Sequence, residues 1–143
     1  MQKDVIISID GNNFTDDGNV HNVTIVTQGI YDVEDGVHTL RYSEADEETG
    51  ESIETTILVH EDRVVVMDDV SFSQVMFRHG QRFSSLVQDE ESKACIELGV
   101  FPTRVKIDMN EEFGSVDLNY QMDMDGIVMG DNSIRVSYRS ADV

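Results

Sequence analysis

Disulfides, tryptophan and positive charge are all scarce in this chain of 143 residues. It has a single cysteine, Cys95, a single proline, Pro102, and no tryptophan. One cysteine excludes an internal disulfide and is typical of proteins from a reducing compartment. The apolar run near the start, Val5–Ile9, is too short for a signal-peptide core or a membrane-spanning helix. We therefore expect a soluble, cytoplasmic protein.

Basic residues are outnumbered by acidic ones almost three to one. The chain has 29 Asp and Glu against 10 Lys and Arg, a formal net charge of −19. Such a surface repels phosphate groups, so neither nucleic acid nor an anionic membrane is an expected partner. A basic protein is the macromolecular partner that this charge favours.

What the chain does have is apolar content sufficient for a core, arranged with a period of two. Hydrophobic residues make up 39%, which together with the length predicts one domain over residues 1–143. Ser115–Met124 is the clearest segment, with Val116, Leu118 and Tyr120 on one face and aspartates on the other. Side chains alternate between the two faces of a strand, so this segment is predicted to be a half-buried β-strand.

The same alternation predicts about ten strands with short connections. The other predicted strands are Val5–Ile9, Asn22–Val33, Val37–Ser43, Ile53–His60, Arg63–Met67, Ser73–Arg78, Arg82–Gln88, Ala94–Val100, Val105–Met109 and Ile134–Tyr138. Tight turns are expected at residues 34–36, 61–62 and 79–81. Gly29 is interpreted as a bulge and Pro102 as a break between two strands.

Such an antiparallel meander removes its exposed edges by closing on itself. The predicted fold is therefore all-β, a single antiparallel up-and-down β-barrel. Residues 89–98 read either as a helix or as a strand, and the strand is preferred because the alternation continues to Val100. The polar stretch 43–52 is predicted to be an extended hairpin loop.

Motifs for catalysis, metals and cofactors are missing. Asp123, Asp125 and Asp131 lack the glycine and glutamate spacing of an EF-hand, and Cys95 and the histidines lack paired zinc spacing. No nucleophile elbow or phosphate-binding glycine loop is present. We therefore expect a non-enzymatic protein with no metal, no cofactor and no catalytic residue, although paired carboxylates leave acid–base chemistry open.

Two stretches of the chain resemble a known family. These are SFSQVMFRHGQRFSSLVQ, residues 71–88, and ACIELGVFPTRVKIDMNEEFGSVDLNYQMDMDG, residues 94–126, while TQGIYD at 27–32 also fits. The order of these strands resembles the bacterial YwiB-like family, small proteins of unknown function. The resemblance implies a calycin-like, lipocalin-related barrel and brings no catalytic residues. The Gly-x-Trp of true lipocalins is absent, so their function is not transferred.

A barrel of about eight strands is either filled by side chains or holds one small ligand. If the apolar faces point inward, polar-tipped and flexible side chains come with them and would contact a small, partly apolar ligand. These candidate ligand-binding residues are His38, Tyr42, His79, Met109, Tyr120, Met122 and Tyr138. Arg78 and Arg82 flank one turn; they either neutralise neighbouring carboxylates or guard a barrel mouth. The alternative function is a protein-interaction module that uses the acidic outer surface and residues 43–52.

Overall fold

The computed structural model describes residues 2–14, 20–45, 50–68, 74–88, 94–110 and 112–141. These residues form ten β-strands and contain no helix. The strands are β1 Lys3–Phe14, β2 Val20–Glu34, β3 Val37–Ala45, β4 Ser52–Val59, β5 Val64–Asp68, β6 Gln74–Phe77, β7 Phe83–Gln88, β8 Cys95–Met109, β9 Phe113–Met124 and β10 Ile127–Ser140.

The ten strands make one antiparallel sheet that curls into a nearly closed barrel. Its order is β6-β5-β4-β3-β2-β1-β10-β9-β8-β7, so every pair of consecutive strands except β6 and β7 lies side by side, and β1 pairs with β10. Pairing of the first and last strands explains why the chain ends do not form the edge of the sheet. The predicted up-and-down barrel is confirmed.

The edges of the sheet lie instead between β6 and β7, and we call this junction the seam. Within the described residues, β6 pairs with β5 and β7 pairs with β8. The one bridge between the two hairpin arms joins Arg78 to Gln81, beside Gly80, whose φ of 75° suits a tight turn. The backbone amide of Gly80 also donates to the Pro102 carbonyl at 3.0 Å. The seam is thus held at the turn rather than by a ladder of hydrogen bonds.

The alternating apolar residues meet inside the barrel. In β9, Val116 and Leu118 are buried, and they lie opposite Val136 and Ile134 of β10. The core cluster consists of Val5, Ile7, Tyr31, Leu40, Ile57, Val59, Val64, Phe77, Val100, Val116, Leu118, Val136 and Tyr138. Many of these residues are β-branched or aromatic, types that suit a pleated and half-buried surface.

The bulge predicted at Gly29 is wrong. Gly29 pairs in regular register with Val5 on one side and Tyr42 on the other. A Cβ at this position would lie 2.3 Å from Ile7 Cδ1 and 2.6 Å from the Arg41 carbonyl oxygen. The glycine is therefore required by the close approach of its neighbours and not by an extra residue in the strand.

Pro102 also differs from its predicted place between two strands. The two runs on either side of it form the single strand β8, whose register against β9 shifts between Pro102 and Arg104. Pro102 is buried, and the irregularity accommodates a residue that cannot donate a ladder hydrogen bond.

The remaining predictions concern turns and loops. Asp35 and Gly36 connect β2 to β3 with positive φ at both residues, the geometry of the favoured two-residue hairpin. In the ambiguous segment 89–98, residues from Cys95 onward are strand, and residues 89–93 lie outside the described part. The strands on either side of the predicted loop at 43–52 pair as far as Ala45 and Ser52. Residues 46–49 lie outside the described part of the chain.

No helix in the described part is long and apolar enough to cross a membrane.

Candidate ligand-binding site in the barrel interior

A cavity of about 170 Å³ lies inside the barrel. It is lined by Ile9, Tyr42, Ile57, Val64, Val66, Val75, Phe77, Val116, Leu118, Ile134 and Val136. These side chains come from seven strands, which alternation directs to a common interior. The lining is almost entirely apolar, so the cavity suits a molecule that leaves water to avoid exposing apolar surface.

Tyr42 is the single lining residue with a polar tip. Burial raises the pKa of the Tyr42 hydroxyl and the nearby Glu44 carboxylate raises it further, while a hydrogen bond with Thr55 opposes both effects. Thr55 is the partner of Tyr42 across the β3–β4 ladder. The phenol is therefore neutral at physiological pH and held by a neighbour, although it can still donate or accept one more hydrogen bond.

The cavity reaches the seam of the barrel. Val75 and Phe77, two of its lining residues, belong to the edge strand β6. The Phe77 ring packs edge-on against Tyr120, with centroids 5.0 Å apart and planes at 66°. A wall held by side-chain packing opens more readily than one held by ladder hydrogen bonds.

Several predicted ligand-binding residues surround the cavity without lining it. Met109, Tyr120 and Met122 are partly buried and pack against the core cluster. Burial raises the pKa of the Tyr120 hydroxyl. The prediction selected polar-tipped and flexible side chains, whereas the lining is mainly valine and isoleucine. The strand alternation at Ile53–Val59 was the signal for the missed position Ile57, and the valine run at residues 64–66 was the signal for Val64 and Val66.

His38 and Tyr138 belong to a separate buried cluster with Tyr31, which the prediction missed. The Tyr31 hydroxyl lies 2.6 Å from His38 Nδ1, and the Tyr31 and Tyr138 rings stack with centroids 4.9 Å apart. The Tyr138 hydroxyl donates to the Asn110 carbonyl. Burial lowers the pKa of His38 and raises that of Tyr138. The cluster fills one part of the interior with satisfied polar groups.

His79 is exposed in the turn after β6, so the inward position expected for it does not occur. The strand ends at Phe77, and the alternation that would have directed His79 inward ends with it. Arg78 is also exposed and forms a salt bridge with Asp62 at 3.3 Å. Both side chains are therefore outside the cavity lining.

Arg82 holds three strands together on the outer face of the barrel. Its guanidinium donates to both carboxylate oxygens of Asp123, at 3.1 and 2.6 Å, and to Glu97 Oε1 at 2.9 Å. These bonds hold the pKa of Asp123 below its usual range. The cluster lies over Gly99, where a Cβ would be 2.3 Å from Arg82 Nη2. Both arginines therefore form ion pairs with nearby carboxylates, and their role at a barrel mouth stays a prediction.

The aspartates of the β9 region also have structural partners. Asp117 pairs with Arg135, directly opposite it, at 3.5 Å. Asp125 Oδ1 accepts from the Glu97 backbone amide at 2.9 Å. Within the described ranges, no group of three or more His, Cys, Asp and Glu side chains is placed to hold a metal ion.

A larger groove of about 430 Å³ crosses the outer face of the sheet. Its lining includes Asp4, Gln28, Arg41, Ser43 and Glu54, and Arg41 Nε is buried there without a hydrogen-bond acceptor. The groove is open and has a mixed polar and apolar lining, so water competes for the polar contacts that a ligand would make. The interior cavity is the better candidate because its lining is almost entirely apolar.

Comparison with known proteins gives a family and a related structure. The family model described as "Domain of unknown function (DUF1934)" matches residues 7–136. The fold is similar to the crystal structure of the ywiB protein from Bacillus subtilis, with a TM-score of 0.81 and 21% sequence identity over 98% of this chain and 93% of that chain. No curated protein matches the sequence.

Proposed function

Since the chain belongs to the family described as Domain of unknown function (DUF1934), as its YwiB-like resemblance predicted, we propose that the barrel binds a small, partly apolar ligand in its interior cavity. Of the residues predicted for this role, Tyr42 makes the contact. Met109, Tyr120 and Met122 pack against the core beside it, and His38 and Tyr138 belong to the cluster with Tyr31. The lone cysteine and the Bacillus relative support a bacterial, cytoplasmic setting for this function.

The observation that carries the proposal is the size of the cavity together with its apolar lining. Protein interiors are close-packed, and few voids exceed the size of a water molecule. If a closed core cavity of about 170 Å³ stayed unfilled, it would cost on the order of 4 kcal/mol at the roughly 24 cal/mol per Å³ measured for core cavities. A ligand that fills the space recovers part of this cost through dispersion contacts and apolar burial.

The seam supplies an entry route that leaves the rest of the barrel intact. Movement of the short strand β6 away from β7 would expose Val75 and Phe77 while β7 keeps its ladder with β8. Short elements with few ladder partners open at low free-energy cost.

The test is native mass spectrometry of gently purified protein, combined with melting temperatures in the presence of benzene. Val66→Phe places a ring in the cavity, and Val26→Phe adds the same ring on the outer face, where Val26 is 66% exposed. We expect bound mass and a benzene-dependent rise in melting temperature for the wild type and Val26→Phe, and neither for Val66→Phe. A wild-type protein that shows neither signal overturns the proposal.

A second candidate is interaction with a basic protein through the acidic outer surface. Leu86, 73% exposed, lies opposite Glu97, and the exposed Val128 lies opposite Asp123. Apolar contacts rimmed by carboxylates suit a partner with apolar and positively charged groups. The proposal also includes the polar stretch 43–52 as a second contact region.

This second candidate is tested by the binding of basic proteins at low and high salt. The variants are Leu86→Ser, with Ser84→Ala as its control on the same strand, and a chain in which residues 46–49 are replaced by glycine and serine. Binding of a basic protein that is lost at high salt and in Leu86→Ser supports the interaction role. Binding that neither high salt nor Leu86→Ser changes contradicts it.

A further inference from the structure

We propose that the interior ligand is an uncharged, ring-sized molecule whose hydrogen-bonding group meets the Tyr42 hydroxyl. This inference rests on the proposed binding function and specifies the chemical class that the cavity accepts. It has three parts, which concern size, charge and the position of the polar atom.

The size of the ligand follows from the volume. A dry cavity of about 150 Å³ lined by aliphatic and aromatic side chains is sufficient to bind benzene or xenon. The cavity here measures about 170 Å³, which leaves room for a six-membered ring and a substituent of one or two heavy atoms. A fatty acid or a fused-ring pigment would not fit without opening the barrel.

The charge of the ligand follows from the lining. None of the residues that line the cavity carries a charge, and a charged group without a partner in an apolar site loses its hydration without compensation. The Glu44 carboxylate acts on Tyr42 through its charge, so an anion at that position would also be repelled. Neutral molecules are therefore selected over carboxylates of the same shape.

The place of the polar atom follows from Tyr42. The other lining side chains are Ile, Val, Leu and Phe, which neither donate nor accept hydrogen bonds. Thr55 hydrogen-bonds the Tyr42 hydroxyl, which limits its rotation, and a phenol hydroxyl can make more than one hydrogen bond. A ligand with one hydroxyl group would make a second bond there and keep its apolar ring against the valines.

The test is a calorimetric titration at pH 7 with four probes that share one ring: benzene, phenol, benzoate and benzylammonium. We expect phenol to bind about fivefold tighter than benzene, the effect of one net hydrogen bond, and the two ions to bind at least tenfold more weakly than phenol. In Tyr42→Phe, the fivefold preference for phenol over benzene should disappear. Val66→Phe should lose all probes, with Val26→Phe as the folded control.

The outcomes separate this inference from the proposed function. Benzoate or benzylammonium binding as tightly as phenol overturns the neutral class, and equal affinity for phenol and benzene in the wild type overturns the role of Tyr42. In either case, if the wild type binds benzene and Val66→Phe does not, the cavity is still supported as the binding site. Absence of binding by every probe overturns both proposals. If Tyr42→Phe does not fold, the order of the four affinities in the wild type decides the inference.

Discussion

The Tyr31 hydroxyl lies 2.6 Å from His38 Nδ1, and the two rings stack with their centroids 5.8 Å apart. Tyr31 is 1% exposed, so the imidazole that it contacts is removed from water on that side. In the neutral tautomer that carries its proton on Nε2, Nδ1 accepts a hydrogen bond from the Tyr31 hydroxyl. Protonation of His38 would put a second donor at this position and a charge in a poorly solvated site.

We predict that the protein loses stability in mild acid through His38. Burial lowers the pKa of His38 below its ordinary value of 6.5, so the unfolded state binds more protons. The stability that neutral His38 contributes is complete above about pH 6.5. It is lost as the pH falls through the pKa that His38 has in the folded protein. The measurement is the free energy of unfolding in urea between about pH 5 and 8 for the wild type and His38→Asn.

His38→Asn keeps an amide oxygen that can accept from Tyr31 but cannot titrate. Its free energy of unfolding should therefore depend less steeply on pH than that of the wild type. His79→Asn, which changes an exposed histidine in the same way, should follow the wild-type profile. Parallel profiles for the wild type and His38→Asn would contradict the prediction.

We predict that an alanine is tolerated at one glycine of the β1–β2 hairpin and not at another. At Gly29 the added Cβ would meet the Arg41 carbonyl oxygen at 2.6 Å, and backbone moves aside less easily than the end of a side chain. Gly29→Ala should reduce the free energy of unfolding by about 1–3 kcal/mol, the usual cost of overpacking. At Gly11 the nearest atom is 4.0 Å away, so Gly11→Ala should be neutral. Urea unfolding of both variants checks this, and equal losses would refute the explanation.

We predict that Asn110 stabilises the turn between β8 and β9 through its side chain. Its Oδ1 accepts from the backbone amides of Glu112 at 2.8 Å and Phe113 at 3.0 Å. Asn110→Ala should lower the free energy of unfolding by about 1 kcal/mol, as for other side-chain caps of backbone donors. Asn110→Asp keeps the acceptor and should remain close to the wild type in thermal and urea unfolding. A loss of the same size in both variants would assign the effect to the backbone of Asn110.

We predict that Arg82 matters more for stability than Arg78. Removing the Arg82 charge leaves Asp123 and Glu97 close together without the cation between them, so Arg82→Gln adds repulsion to a lost ion pair. Arg78→Gln leaves Asp62 paired with Arg63 at 3.0 Å and should change little. The melting temperature should fall more for Arg82→Gln, and salt should narrow the difference because it screens exposed charges. Equal shifts at low salt would disprove this ranking.

The local features of the fold could be predicted from the sequence. Alternation at Ser115–Met124 predicts that Val116 and Leu118 are buried, and the structure has them so. The hairpin at Asp35 and Gly36 could be predicted as well, because few residues adopt the positive φ that it needs. Each of these properties depends on residues next to each other in the chain.

The candidate site could be predicted only in part. Tyr42 was selected and lines the cavity, whereas Val64, Val66 and Val75 were not selected although they face it. Alternation tells which side of a strand points inward, but not where the interior is filled and where it is hollow. The distribution of volume depends on how far each strand is displaced along the barrel wall.

The sequence by itself determined the strands, their turns and the inward face of each, because the period of two and positive φ are properties of neighbouring residues. Only the tertiary structure decided that the seam lies between β6 and β7, that Arg82 meets Glu97 and Asp123, and that Gly29 must lack a side chain. Those outcomes join residues that are distant in the chain. Such contacts form only when the barrel closes, and closure sets the register and the space between strands.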